Sequence, residues 1–395
     1  MYKVFLLALV LLGIGRSFGQ AASSEWPNAE AAQPFIMRSV RFKGIEFSGR
    51  WARYGHADTW YPSWASDDGL YSPFMDGNVN GVTAMFDKNT TGQARIVGSN
   101  PLNLSVKVIG LSEASAVPYH GRYPSASLVV NGVWYYGTYT LDDLNGRCGN
   151  WCIQGPFVGF RTSTNYGQSW SETPRTAEAP LFERPQPGAK VRIGPAHFID
   201  FGRNMQYSPD GNAYLIAHGT GFRDGFSNWI AGDDLYLART KPSPTTINDV
   251  GAWEFYAGKD THGKPLWDRR IQNMRPLLEW RGHLGSATIT YDAPMHLYLL
   301  CVSRPADGFT SNGDFDTLIL ESKQITGPWA MVTYLKSFGP QAYFVNIPSK
   351  FISPNGRTFW LAYSANFSLD MDKDKKPNPP GSGYALVLRE AHLKR

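Results

Sequence analysis

Residues 61–74, YPSWASDDGLYSPF, read as a short strand, an Asp-Asp-Gly turn and a second, aromatic-rich strand. The same plan returns four times downstream: YPSASLVVNGVWYYGTY at 123–139, AHFIDFGRNMQYSPDGNAYLIAH at 196–218, GSATITYDAPMHLYLLC at 285–301 and IPSKFISPNGRTFWLAYS at 347–364. Each copy opens on small residues, turns at a pair such as Asp-Gly or Asn-Gly, and closes on a β-branched or aromatic run. A third strand-like run follows each copy: GQARIV, FVGFRTSTNYGQSW, DLYLARTKPS, TLILESKQITGPW and YALVLREAHL. Two copies add a Trp-bearing fourth, AWEFYAG and GPWAMVTYL. Helical periodicity is almost absent after residue 22, so the class is all-β.

A small sheet cannot bury both of its faces alone, and copies spaced by roughly 60–90 residues imply radial stacking of such sheets. The expected fold is a five-bladed β-propeller. SVRFKGIEFSG, from Ser39, is left over at the front, and the fifth copy lacks an outer strand. The N-terminal strand is therefore expected to complete the last blade and close the ring, giving one domain over 33–395. STNYGQSW at 163–170 resembles the Asp-box turn of sialidase-type propeller blades, with Asn165 where Asp is usual. Within the first copy, Trp60, Trp64 and Phe74 should pack between blades, and Asp67 and Asp68 should build the turn at the far end.

The chain opens with Lys3, an apolar run from Val4 to Ile14, Arg16 and small residues to Ala22. That layout is a secretory signal over residues 1–20, too short to span a bilayer, and it predicts a secreted or periplasmic protein with no membrane partner. The net charge of +5 falls to about +3 once Lys3 and Arg16 leave with the signal. The remaining cations are scattered rather than striped, which argues against a nucleic-acid partner. Cys148 and Cys152, in RCGNWC, suit a disulfide after export, while Cys301 in LYLLCV reads as buried. Asn89, Asn103 and Asn366 lie in N-x-S/T sequons. No ligand spacing dictates a metal, and no cofactor is expected, although the channel of a propeller leaves room for a bound cation.

In a propeller, residues just before the first strand of each blade and just after the second converge on one rim of the channel. His56, Asp58, His120, Arg122, Arg192, His283 and Asn346 precede first strands, and Asp76, His218, Arg304 and Asn366 follow second strands. Most are polar or ionisable, between runs that are apolar. Asp58 and Asp76 bracket the first hairpin and should end on the same face. Two carboxylates across a cleft are what glycosidic hydrolysis requires, one to donate a proton and one to attack or to activate water. Binding without chemistry is a second reading of the pair, and turn formation, with Asp76 before Gly77, is a third. Tyr61, Tyr123 and Tyr343 could stack on sugar rings, and Arg122, Arg192 and Arg304 could grip carboxylates or hydroxyls.

The stretches ADTWYPSWASDDGLYSPFMDG, WEFYAGKDTHGKPLW and IPSKFISPNGRTFWLAYSANF resemble bacterial exported proteins long filed as a domain of unknown function. These are similar to five-bladed propellers that include endo-D-arabinanases. The likeness runs from about Arg50 to the C-terminus and bears more on fold than on activity. It implies an aspartate-based glycoside hydrolase acting at the channel mouth, with Asp58 carried over first and Asp76 after it. ADTW and PFMDG depart from relatives, so the substrate does not carry over. The leading expectation is a monomeric, exported hydrolase of a polysaccharide or oligosaccharide. A polysaccharide lyase is the runner-up, in which a His or a Tyr abstracts the C5 proton, as His120, His218 or His283 would fit, while Arg304 neutralises the carboxylate of a uronate. A propeller that binds glycan without turnover is the third.

Overall fold

The computed structural model describes residues 16–22, 24–25, 36–85, 90–113, 123–139, 152–153, 157–183, 190–220, 227–228, 230–306, 314–339, 342–365 and 377–395. Nearly all regular structure is antiparallel β, with a few single 3-10 turns and, among the described residues, no helix long and apolar enough to cross a membrane. The five repeated segments fall in antiparallel hairpins, those of the third and fourth within one continuous sheet. In the first, His56–Asp58 and Ser63–Trp64 pair with Leu70–Val79, which pairs with Thr90–Val97 and then Ser105–Glu113. The second comprises Tyr123–Val130, Val133–Tyr139 and Gly159–Ser163. The third runs Ala196–Phe198, Ala213–Gly219, Ala231–Thr240 and Glu254–Lys259. The fourth runs Leu278–Asp292, Leu297–Pro305, Phe315–Ser322 and Ala330–Leu335.

In the fifth sheet, Tyr343–Asn346, Thr358–Ser364 and Leu386–Lys394 are followed by Gly44–Tyr54, from the other end of the chain. Gly44–Tyr54, part of the leftover N-terminal run, thus pairs antiparallel with Leu386–Lys394. Arg16–Gln20 adds a further edge strand on Arg50–Tyr54, using residues that the expected signal would remove. Four apolar cores lie between neighbouring sheets. Tyr71, Val129 and Trp134 fill the first interface, and Phe160, Phe198, Leu235 and Leu284 lie in a core running from the second sheet to the fourth. Phe47, Cys301, Ile319 and Phe359 join the fourth to the fifth, and Tyr54, Trp60, Phe74 and Trp360 join the fifth back to the first. This is a β-propeller: each sheet buries its two faces against two neighbours, which is how a half-polar sheet is stabilised without a second layer.

The turn chemistry follows the sequence. Asp67 Oδ1 accepts from Gly69 N at 3.0 Å, and Asp68 takes φ of 65°, so the Asp-Asp pair is a turn. Trp60 stacks on Phe74 at 5.5 Å. In the Asp-box-like loop, Asn165 Oδ1 accepts from Ser169 N at 2.9 Å and Trp170 packs on Trp134. Cys301 is buried as expected, and burial pushes its thiol up to about 12. Asn103 is exposed in a turn, whereas Asn89 and Asn366 lie outside the described residues.

Candidate functional site

One small cluster takes a side chain from every sheet: Tyr61 and Met75, Tyr123 and Tyr139, Ile230, Phe315, Tyr343 and Phe344. The strand ends therefore converge, and Asp58 sits among them, 8% exposed. Its Oδ1 accepts from Thr59 Oγ1 at 2.6 Å. Its Oδ2 accepts from the Tyr343 hydroxyl and lies 3.1 Å from the Tyr384 hydroxyl. These donors are neutral, and no described cation hydrogen-bonds to the carboxyl. Burial raises the Asp58 pKa above the ordinary carboxylate value, and the three hydroxyl contacts only partly offset that. Reciprocally, burial and then the Asp58 charge push Tyr343 and Tyr384 far up, so both phenols stay protonated donors.

Asp76 lies on the adjacent strand, where Asp58 pairs with Met75. It is half-buried, and its charge, like that of Asp58, raises the pKa values of Tyr139, Tyr343 and Tyr384. The Tyr384 hydroxyl also lies 2.7 Å from the Asp76 carbonyl, so one phenol joins both strands. The approach of those strands explains Gly77: a Cβ there would lie 1.9 Å from the His56 carbonyl. Thr59, Asp76 and Phe344 all take positive φ, at 64°, 51° and 59°. For β-branched Thr59 that is an outlier, and such strain gathers where the surroundings over-determine a side chain's position.

The other expected residues divide into three groups. His56 is exposed and meets the edge of Tyr384, the phenol beside Asp58, at 5.2 Å. Tyr61 lies against His197 at 4.2 Å, and Asn346 Nδ2 donates to the Trp60 and Phe344 carbonyls, which ties the fifth sheet to the first. A second group is engaged in protein contacts. Arg304 forms a buried ion pair with Asp316 at 3.1 Å and donates to the Tyr334 hydroxyl at 2.8 Å. Both Glu183 oxygens lie 3.0 Å from Arg192 Nη1. His283 stacks flat on Trp280 at 4.5 Å, in the strand segment that joins the third and fourth sheets. His218 is fully buried and approaches His197. The third group, His120, Arg122, Asn366 and Cys148, lies outside the described residues; of the expected disulfide, only the Cys152 backbone is placed, paired with Asn228.

Sequence reading missed Tyr384, Tyr139 and His197. Tyr139 closes a second strand and His197 lies in the first strand of its hairpin, both close to slots already recognised, but neither was singled out. Tyr384 precedes a third strand, a position the slot rule did not include. Burial, then the nearby His218, lowers His197 to about 3, so it remains a neutral imidazole lining a small cavity with Asp200 and Thr288. Among the described residues, no group of three or more His, Cys, Asp or Glu is arranged to hold a metal ion.

No protein-family model and no curated protein matches the chain. Solved structures do. A putative hydrolase from Bacteroides ovatus superposes with a TM-score of 0.50 at 14% identity, covering 93% of this chain and 96% of that one. The GH43_1 enzyme from Xanthomonas citri gives 0.46 at 14% identity, over 86% and 89% of the two chains. The catalytic domain of the Coprinopsis cinerea GH62 α-L-arabinofuranosidase gives 0.43 at 12% identity, over 95% and 96%. At such identities the likeness is one of fold alone, and it rests on the Bacteroides ovatus superposition.

Proposed function

We propose that the protein is an exported glycoside hydrolase of a polysaccharide or oligosaccharide, built on five blades whose ring is closed by residues 44–54. Asp58 is the proton donor to the leaving oxygen, and Asp76 is the carboxylate that attacks the sugar or activates water. The observation that carries this reading is a buried carboxyl at the convergence of the sheets, held by three hydroxyls beside a second carboxyl on strained backbone. Environment separates the two roles. A carboxyl kept from water retains its proton to higher pH and can deliver it, whereas the more exposed Asp76 is better placed to meet water and substrate. Tyrosines around the pocket offer flat, partly apolar surfaces suited to the CH faces of sugar rings.

A lyase needs a free cation to neutralise a uronate. The two described arginines expected at the rim are instead paired, Arg304 with Asp316 and Arg192 with Glu183, which favours hydrolysis. A purely binding propeller would have no use for a desolvated carboxyl, which costs stability. The test is a panel of neutral and acidic polysaccharides assayed for new reducing ends and for unsaturated uronate. Reducing ends without unsaturation support the hydrolase; unsaturated ends, or no product from any polymer that binds, count against it.

A further inference from the structure

The face opposite Asp58 carries a second cleft. Tyr343, which donates to Asp58, begins the inner hairpin of the fifth sheet, and the turn of that hairpin, around Gly356, lies at the far end. Between this turn and the 293–296 turn of the fourth sheet is a cavity of about 670 Å³. That volume falls within the roughly 300–1,000 Å³ of ordinary ligand pockets. Arg41, Lys323, Arg357 and Arg395 line it, over a floor that includes Phe42, Met295 and Leu297.

The charge in the cleft is unbalanced. Arg41 Nη1 pairs with Glu321 at 2.6 Å, and that carboxylate, only 4% exposed, is also held by Ser39 Oγ. Lys323, Arg357 and Arg395 make no ion pair among the described residues. The cluster is also visible in the chain: RFK at 41–43 lies beside LKR at 393–395, with Lys43 N donating to the Lys394 carbonyl at 2.9 Å. Several cations around one concavity repel one another, and an anion placed between them removes that cost.

We propose that this cleft is a binding site for an anionic glycan, a chain bearing carboxylate or sulfate groups, separate from the pocket around Asp58. Guanidinium forks match the planar carboxylate and the oxygens of a sulfate ester. Single-stranded nucleic acid would need an exposed aromatic platform for its bases, and Phe42, at 5% exposure, offers none. A membrane surface is too flat to enter a cleft between two turns.

Direct calorimetric titration of the full chain tests this, using a galacturonate oligosaccharide, a sulfated galactan oligosaccharide, a neutral xylan oligosaccharide and a short single-stranded DNA. At least one anionic oligosaccharide should bind, the neutral one should not bind at this cleft, and raising salt should weaken the complex. The pattern between uronate and sulfate identifies the source of the anion. The doubly substituted Lys323→Ala, Arg357→Ala protein, with an unchanged melting temperature, should bind the anionic oligosaccharide about tenfold more weakly or worse. Equal binding by that protein, equal or tighter binding of the DNA, or no binding of either anionic probe would overturn the proposal. The measurement reads binding alone, so failure of the hydrolase reading would leave its outcome unchanged.

Discussion

Replacing Tyr384 by Phe removes one oxygen from the site and leaves the ring in its buried place. That oxygen lies 3.1 Å from Asp58 Oδ2 and 2.7 Å from the Asp76 carbonyl. The phenol has one proton to share between these two acceptors, so its loss costs the ionised carboxylate at most about 1.5 kcal/mol, which corresponds to about one pH unit. With Asp58 as the proton donor, the basic limb of the kcat/KM profile should therefore move up, by at most about one unit. Burial holds the folded Asp58 pKa above its unfolded value. Its contribution to stability is therefore complete below the unfolded value and is lost as pH rises through the folded one. A further rise in the variant enlarges that loss near neutrality. The melting-temperature gap between variant and parent should accordingly be widest at about pH 7 and narrower at about pH 4. Calorimetric scans across that range and a pH–rate profile on the best polymer of the panel provide the readouts. A basic limb that stays in place, or moves down, would refute the hydrogen-bonding argument.

Other outcomes follow from the same structure. Deleting the chain through Gly49 removes Phe47, which is fully buried, and exposes the Leu386–Lys394 edge; aggregation or a large fall in melting temperature is expected, and an equally stable soluble product would exclude the proposed ring closure. Arg304→Ala strands buried Asp316 and should cost about 3–5 kcal/mol in denaturant unfolding, whereas a free substrate-gripping arginine would show little change. Mass mapping of protein from an oxidising compartment should find Cys148 bonded to Cys152; the short loop limits the stabilisation to about 2 kcal/mol, and two free thiols would contradict the assignment.

The repeat made the sheets legible because strand and turn chemistry is local: Asp67 and Asp68 turn the first hairpin wherever it sits. The placement of Asp58 on the first hairpin, paired beside Asp76, was legible for the same reason. Its surroundings were not. Tyr343 and Tyr384 come from the opposite end of the chain, and only the juxtaposition of the fifth and first sheets brings their hydroxyls to Asp58. The arginines were misjudged in a related way. Arg304 occupies a rim slot, but Asp316 lies directly across the ladder from it, and a buried cation pairs with the nearest carboxylate before it can meet a ligand. Helical and turn residues announce themselves by spacing, whereas a cross-sheet ion pair depends on register that single-sequence reading does not supply.

The most direct test of the central claim is the turnover of Asp58→Asn and Asp76→Asn on whichever polymer the parent cleaves. The amide keeps the shape of the carboxyl: its one oxygen can still accept on the tyrosine side, and its NH2 can donate to the Thr59 hydroxyl, so folding and glycan affinity should change little. It cannot deliver a proton, attack or activate water, and each substitution should lower kcat by about 10²- to 10⁴-fold, with Asp58 the more sensitive. Full turnover by a correctly folded Asp58→Asn protein would contradict the account.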